Sequence, residues 1–253
     1  MVYTRSYARR FAFPLLTVLA GVGSFPIGHN VLLAQDRAAF TVTIQESALD
    51  RSGKTVRAQT VVFAVRGDGS TVRARTLKKP GNRGAATQRL ITDLARAEEV
   101  SIDDLTDSIN TVPLLSQAVE FHRRPAECTS ENPPVRASLL GYEVVRDVKN
   151  IGSSQGRIFR KEEWRAPALD CFPLKDTLFL GRTEADLYIA KVDEVLQVTL
   201  GEPSASLFER PAGYFERSPL QWRQEFARRY PGAVCPTCGE GESYDRRQSD
   251  RAK

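Results

Sequence analysis

The sequence LLGYEVVRDV at residues 139–148, followed by NIGSSQG at 150–156 and RIFRKEEWR at 157–165, indicates a β-hairpin. Two runs rich in β-branched and aromatic residues, separated by a turn of Gly, Ser and Asn, are typical of paired antiparallel strands. Side chains alternate between the two faces of a strand, so Tyr142 and Val144 share one face and Val145 lies on the other. The hairpin therefore predicts that the fold is built on an antiparallel sheet.

Further strands are predicted on both sides of this hairpin. Phe40, Val42 and Ile44 alternate with polar residues, as do the apolar residues of the run 61–65, which ends before Gly67-Asp-Gly69. An Asp-Gly pair between two alternating runs is a strong hairpin signal. Additional strands are expected at 177–181 and 187–200, and an exposed loop at 78–87. The pattern predicts six to nine strands in one domain with one or two helices, a mainly β fold of the α+β type.

Two segments suggest helices, with different clarity. Residues 88–103 fit a helix through Leu90, Ile91 and Leu94, but also fit two short strands around a turn. Near the C-terminus, Ser218-Pro-Leu-Gln221 gives an N-cap, a proline at the first helical position and a Gln at the third. The aromatic residues that follow at a spacing of four predict one buried helical face: Trp222, Phe226 and Tyr230.

Residues 1–34 have the layout of a secretory signal peptide. Arg5, Arg9 and Arg10 precede an apolar run, and Ala34 stands before the polar Gln35. An uncleaved membrane anchor is the alternative, but proline and glycine interrupt the run before the length of about 20 apolar residues that a span needs. We expect export to the periplasm or the outside of a bacterial cell, with cleavage after Ala34.

Charge and histidine content exclude several classes of function. Residues 1–34 hold three arginines and no acid, which leaves 33 Lys and Arg against 31 Asp and Glu. A nearly neutral chain without a block of like charges argues against nucleic-acid binding. The two histidines are His29, within the predicted signal peptide, and His122, in a loop-like stretch that suggests a surface residue. No motif indicates catalysis, and no cofactor or metal site is predicted.

Several short segments resemble the exported lipoprotein-carrier superfamily, which is LolA/LolB-like, and its uncharacterised bacterial relatives. The similarity extends over residues 40–217, but the four cysteines and the polar tail depart from the family pattern. The segments that carry it are Ile91–Leu94, Val100–Asp103, Gly141–Val145, Glu163–Pro167 and Leu207–Tyr214.

The resemblance implies an unclosed antiparallel β-barrel whose concave face holds a hydrophobic guest beneath packed helices. It also favours the hairpin interpretation of residues 88–103. We therefore expect a LolA-like β domain over residues 35–232 and a disordered, CxxC-containing polar tail over 233–253. The family pattern assigns no named binding residue to this chain.

The four cysteines suggest two disulfides in an oxidising compartment. Cys128 and Cys171 bracket the central hairpin, and an irregular loop after 128 would bring them together. Cys235 and Cys238 form a CxxC motif, for which a local structural disulfide is favoured. A zinc knuckle would need two more ligands, and redox chemistry would need the motif at a helix start.

The sequence thus predicts a non-enzymatic envelope protein that binds lipid or another apolar ligand in a half-barrel cleft. Two alternatives remain: a periplasmic sensor or scaffold that binds an envelope protein, and a thiol-redox or zinc protein acting through the CxxC motif. The oligomeric state is not predicted. Alternation places five residues on the cleft lining: Val61, Phe63, Val65, Tyr142 and Val144.

Overall fold

A computed structural model of the chain describes residues 37–82, 84–124, 128, 133–154, 156–233 and 235. The predicted signal peptide and nearly all of the predicted disordered tail lie outside the described residues. From Arg37 onwards, the described residues belong to one compact unit.

The described residues form twelve strands and two α-helices. The strands are β1 (Phe40–Leu49), β2 (Thr55–Val65), β3 (Thr71–Lys78), β4 (Ala85–Asp93), β5 (Glu98–Asp103), β6 (Ser108–Pro113), β7 (Arg136–Leu139), β8 (Tyr142–Ser154), β9 (Arg157–Ala166), β10 (Phe172–Gly181), β11 (Tyr188–Leu200) and β12 (Phe215–Glu216). The helices are α1 (Ser116–Arg123) and α2 (Pro219–Arg229), and short 3₁₀ turns occupy Pro80–Asn82, Pro167–Leu169, Glu184–Asp186 and Ala205–Leu207.

All twelve strands belong to one open sheet, in the order β12-β6-β5-β4-β3-β2-β1-β11-β10-β9-β8-β7. Two antiparallel meanders, β1–β6 and β7–β11, join where β1 pairs with β11. The short strand β12 pairs in parallel with β6. The predicted mainly β fold with an unclosed antiparallel sheet is confirmed, although the structure has more strands than the predicted six to nine.

The alternation read in the sequence accounts for the main core. Phe40, Val42 and Ile44 are buried and alternate with half-buried polar residues along β1. They pack with apolar residues of β2, β8 and β11, and with Leu169 and Leu174. A second cluster lies under β2–β6, and a third holds Leu105 and Phe226.

Short sequence motifs predicted several strands and helices correctly. Residues 88–103 lie in the hairpin β4–β5, as the resemblance implied. Helix α2 begins after Ser218, whose hydroxyl accepts a hydrogen bond from the amide of Gln221. Trp222 and Phe226 are buried, as the aromatic spacing predicted.

Three local expectations were wrong. The loop expected at 78–87 is shorter, because β3 continues to Lys78 and β4 begins at Ala85. The run 139–148 is not one strand, because Leu140 and Gly141 adopt positive φ and form the turn between β7 and β8. His122, expected in a loop, lies in the last turn of α1.

Candidate functional site

A cavity of about 750 Å³ lies between the sheet, helix α1 and the segment that leads into β10. The residues that line it are mostly apolar or cationic: Arg37, Phe40, Phe63, Val65, Gly69, Thr71, Phe121, His122, Arg124, Arg165, Leu169, Asp170, Cys171, Phe172 and Pro173. Its volume falls within the range of about 300–1,000 Å³ that small-molecule sites occupy.

Three phenylalanines form the apolar floor of this cavity. The rings of Phe63 and Phe172 stack with centroids 5.1 Å apart, and Phe40 meets Phe172 edge-on at 5.4 Å. Val65 lies opposite Phe40 in the register of β1 and β2, which extends the apolar surface along β2. Such fixed aromatic packing gives a ligand a preformed apolar wall.

Three arginines stand at the rim of the cavity, each with a carboxylate partner: Arg37, Arg124 and Arg165. Arg37 forms an ion pair with Asp170 at 3.2 Å and donates a hydrogen bond to the backbone carbonyl of His122. Arg165 donates to the carbonyl of Cys171 at 3.1 Å and also binds Glu163. Arg37 thereby ties α1 to the segment before β10, so that the two walls of the cavity are held by one side chain.

Helix α1 supplies the outer wall. None of its residues is buried, and Phe121 is 75% exposed although it lines the cavity. The ring of Phe121 lies edge-on to that of His122, with centroids 5.8 Å apart. A helix with so little buried surface is among the parts of a fold that open most easily.

The predicted disulfide Cys128–Cys171 is present, and Cys171 lines the cavity. The Cα atoms of the two cysteines are 5.2 Å apart, within the usual range for a bridge. Asp170 and Cys171 both have positive φ, at 50° and 58°. This tight reversal directs the side chain of Cys171 towards the cavity and leads directly into Phe172.

The structure places the five predicted cleft residues in two different environments. Phe63 and Val65 line the cavity. Val61 and Val144 are fully buried in the main core, and Tyr142 packs against that core. Val61, Tyr142 and Val144 therefore belong to the main core and do not line the cavity.

Sequence reasoning missed several wall residues. Phe121 lies on a helix that no capping residue announces, since its N-cap position, Leu115, makes no side-chain capping bond. Leu169 and Phe172 lie on either side of the chain reversal at Cys171. The predicted disulfide was the only sequence feature that indicated this reversal. The arginines of the rim gave no signal, because isolated cations are common on any surface.

Beside the cavity, five carboxylates stand opposite one another across five neighbouring strands. The register pairs Glu46 with Asp193, Asp193 with Asp176, Asp176 with Glu163, and Glu163 with Asp147. Directly opposed residues share a face, so these side chains form one row, which we name the carboxylate row. Like charges in this arrangement repel unless cations separate them.

Cations interleave with the carboxylate row. Lys161 binds both Glu163, at 2.6 Å, and Asp176, at 2.7 Å. Burial opposes ionisation of Glu163, but the bonds from Lys161 and Arg165 outweigh it and lower the pKa of that carboxyl. Burial raises the pKa of Asp176, and the neighbouring carboxylates Glu163 and Asp193 add to the increase. Arg165 belongs to both this network and the cavity rim.

The CxxC motif is described only in part. Cys235 is disulfide-bonded and packs against the cluster around Phe226, while Cys238, its predicted partner, lies outside the described residues. Over the described ranges, no group of three or more His, Cys, Asp or Glu residues is placed to hold a metal ion. Neither α1 nor α2, the helices of the described part, is long and apolar enough to cross a membrane.

Comparisons with known proteins give little support to any function. No protein-family model and no curated protein matches the chain. The solved structure of PNGF-II in the C2 space group is similar with a TM-score of 0.42 and 15% identity, over 76% of this chain and 33% of that chain. The chain thus matches about a third of the length of PNGF-II, and a likeness at this TM-score carries no argument. The resemblance to LolA-like carriers stays a prediction.

Proposed function

We propose that this protein is exported and acts, without catalysis, by binding an apolar ligand in the cavity beneath α1. The single observation that carries the proposal is the cavity of about 750 Å³ with a floor of three packed phenylalanines. Apolar surface removed from water contributes about 25 cal/mol per Å² to binding, so an aromatic floor favours a hydrocarbon guest.

The residues at the rim of the cavity indicate which kind of apolar ligand would bind. Three arginines line the cavity: Arg37, Arg124 and Arg165. Arg37 is paired with Asp170 and Arg165 with Glu163, whereas Arg124 is 77% exposed and lies 4.0 Å from Glu120, so Arg124 is the cation best placed to meet an anion. A ligand with an apolar body and an anionic end would place its charge near these arginines, whereas a cationic end would be repelled. The disulfide supports the exported location, because such bonds persist in oxidising compartments.

Two measurements test this proposal. An environment-sensitive fatty-acid probe is titrated into the delipidated protein, and an alkylamine probe of equal chain length is compared with it. We expect saturable binding of the fatty acid and weaker binding of the amine. In parallel, N-terminal sequencing of the protein from the envelope fraction should begin at Gln35. A start at Met1 with the protein in the cytoplasm would contradict the export part.

Variants locate the binding. Thr71 lines the cavity at the start of β3, so Thr71→Trp should fill it and abolish probe binding. Thr199 is exposed on β11 and does not line the cavity, so Thr199→Trp is the matched control and should bind as the wild type does. Equal binding by both variants would place the guest elsewhere.

A further inference from the structure

Helix α1 is fixed to the rest of the fold at both of its ends, by different means. Just before its start, the amide of Leu114 donates to the carbonyl of Ala97 at 2.7 Å, in the turn between β4 and β5. Beyond its end, Cys128 follows Arg124 by four positions and is bridged to Cys171. Four residues extend over at most about 14 Å. The bridge therefore keeps the end of α1 close to Cys171.

Without the bridge, a much longer stretch of chain would tether the end of α1. Among the described residues after Cys128, the first with a backbone bond to the sheet is Val135, whose carbonyl accepts from the amide of Arg146 at 2.9 Å. Val135 lies 135 − 124 = 11 positions after Arg124. A chain of that length extends to about 40 Å. Breaking the bridge thus frees the end of α1 from its short tether.

Two hydrogen bonds from arginines also hold the end of α1. Arg37 donates to the carbonyl of His122, and Arg123 donates to that of Leu94 at 3.4 Å. None of the residues of α1 is buried, so the packing of its side chains adds little. Segments with so little buried surface open locally at the lowest free energies. We therefore expect α1 to open when the bridge is broken, while the sheet stays folded.

The other side of the bridge is held independently of it. The amide of Cys171 donates to the carbonyl of Ala166 at 3.0 Å, and Arg165 donates to the carbonyl of Cys171 at 3.1 Å. The neighbouring Asp170 is paired with Arg37. These contacts fix the chain reversal before β10 whether or not the bridge is closed. Breaking the bridge should therefore move α1 and leave the phenylalanine floor of the cavity in place.

We propose that the Cys128–Cys171 bridge controls access to the cavity, and that a dithiol reductant opens it. A thiolate of the reductant attacks the sulfur of Cys128, the less buried of the two cysteines, and displaces the thiolate of Cys171. The second thiol of the reductant then displaces the thiolate of Cys128 and closes a disulfide within the reductant. Two electrons pass to the cysteines, and their thiolates take up the two protons that the dithiol loses.

The opening of α1 removes one wall of the cavity. Phe121, His122 and Arg124 line the cavity from the end of this helix. When they move away, an apolar guest is exposed to water, so it should dissociate faster. Release of a guest rests on the function proposed above, whereas the opening of α1 does not.

Hydrogen exchange measured by mass spectrometry tests the opening of α1 without any ligand. The full chain is compared before and after treatment with dithiothreitol, at exchange times at which β1, in the centre of the sheet, stays protected. We expect the amides of residues 116–123 to exchange at least about tenfold faster after reduction. Unchanged exchange in α1 would overturn the proposal. Loss of protection in β1 at the same exchange times would also overturn it, because the bridge would then hold the whole fold.

Two double variants separate this bridge from the CxxC motif, since Cys235 is also disulfide-bonded and open to reduction. Cys235→Ala with Cys238→Ala should respond to dithiothreitol as the wild type does. Cys128→Ser with Cys171→Ser should exchange as the reduced wild type does and should not respond further. If the serine variant does not fold by circular dichroism, the alanine variant decides. Loss of the response in the alanine variant would assign the effect to the CxxC motif and refute the proposal.

The dissociation rate of the fatty-acid probe distinguishes control of access from the function proposed above. In the alanine variant, reduction should raise this rate at least about tenfold, as expected when a wall of the cavity opens. If the oxidised protein binds no probe, the proposed function fails, and the exchange of α1 still decides whether the bridge holds the helix. If the oxidised protein binds the probe and reduction leaves its dissociation rate unchanged, the bridge does not control access.

Discussion

The indole nitrogen of Trp222 donates a hydrogen bond to the buried carboxylate of Asp103, which lies 119 residues earlier in the chain. The same carboxylate accepts from the amide of Leu105 at 2.9 Å and from the hydroxyl of Thr106. Asp103 thus holds its own turn after β5 and fixes helix α2 against it. This contact joins the last helix to the first meander of the sheet.

Trp222→Phe should destabilise the fold, because it leaves a buried carboxylate oxygen short of one donor. We expect a loss of about 1–3 kcal/mol in the free energy of unfolding, measured by urea denaturation. Trp164→Phe is the matched control, since its indole bonds Glu162 on a half-buried surface, and it should cost less. Equal losses for the two variants would show that the Asp103 bond contributes nothing specific.

The ionisation of Asp103 should make stability depend on pH. Burial raises the pKa of Asp103 above its ordinary value of 3.8, despite the bonds from Leu105, Trp222 and Thr106. The folded protein therefore holds this proton more tightly, so the contribution is present below the unfolded pKa and is lost as pH rises through the folded pKa. The free energy of unfolding of the wild type, minus that of Asp103→Asn, should fall as pH rises from about pH 4 towards neutral pH.

A control of opposite sign accompanies this measurement. The hydroxyl of Ser52 and the amide of Lys54 lower the pKa of Asp50 in the exposed β1–β2 turn. For Asp50→Asn, the difference from wild type should instead be fully present above about pH 4 and should be lost as pH falls through the lowered pKa of the folded protein. A difference for Asp103→Asn that also grows with pH would contradict the assigned direction.

The Cys128–Cys171 bridge should contribute stability through the unfolded chain. It spans 43 positions, for which the chain-entropy model gives about 3–4 kcal/mol. Replacing both cysteines by serine should lower the free energy of unfolding by about that amount in urea denaturation. The predicted Cys235–Cys238 bridge would close a much smaller ring, so replacing these two cysteines by alanine should cost less. Peptide mapping under non-reducing conditions that finds free thiols at 128 and 171 would refute the bridge.

Sequence patterns predicted the parts of the fold that depend on neighbours in the chain. The alternation in β1, the capping residues of α2 and the β8–β9 hairpin all rest on local preferences. The carboxylate row could not be predicted, because the register that opposes Glu163 and Asp176 depends on a bulge between Pro173 and Lys175. A single shifted residue moves every side chain to the other face.

The sequence predicted only those lining residues of the cavity that lie on the sheet. Phe63 and Val65 follow from alternation, but Phe121 is on a helix with no apolar stripe buried in the core. Its position depends on Arg37 and on the bridge at Cys171, which are contacts between distant parts of the chain. Patterns of three or four residues carry no information about such contacts.

The turn between β7 and β8 offers a stabilising substitution. Leu140 has φ 51° and Gly141 has φ 82°, as in a turn that favours Asn-Gly. Leucine in the left-handed region costs about 1 kcal/mol or more, whereas asparagine adopts it readily, so Leu140→Asn should stabilise the fold by about 1 kcal/mol. Thermal unfolding measures the gain. Leu140→Val, a β-branched control, should lower stability, and a lower stability for Leu140→Asn would contradict the turn assignment.

Lys161 separates two opposed carboxylates, so its removal should expose the repulsion within the carboxylate row. In Lys161→Met, Glu163 and Asp176 lose their shared cation while each remains mostly shielded from solvent. We expect a loss of about 2 kcal/mol in the free energy of unfolding near neutral pH. Without Lys161, these carboxylates would bind protons more readily in the folded protein. The loss of stability should therefore shrink as pH falls towards 4, which is about the usual midpoint for exposed carboxyls.

A second substitution distinguishes repulsion from lost packing. Adding Asp176→Asn to Lys161→Met removes one of the two opposed charges, so it should restore most of the lost stability at neutral pH and abolish the pH dependence of the loss. Lys175→Met, one residue along β10 from Asp176, is the control for the change from lysine to methionine and should be nearly neutral. If Asp176→Asn fails to rescue Lys161→Met, the cost arises from the packing of the lysine stem, and the carboxylate row is not held apart by Lys161.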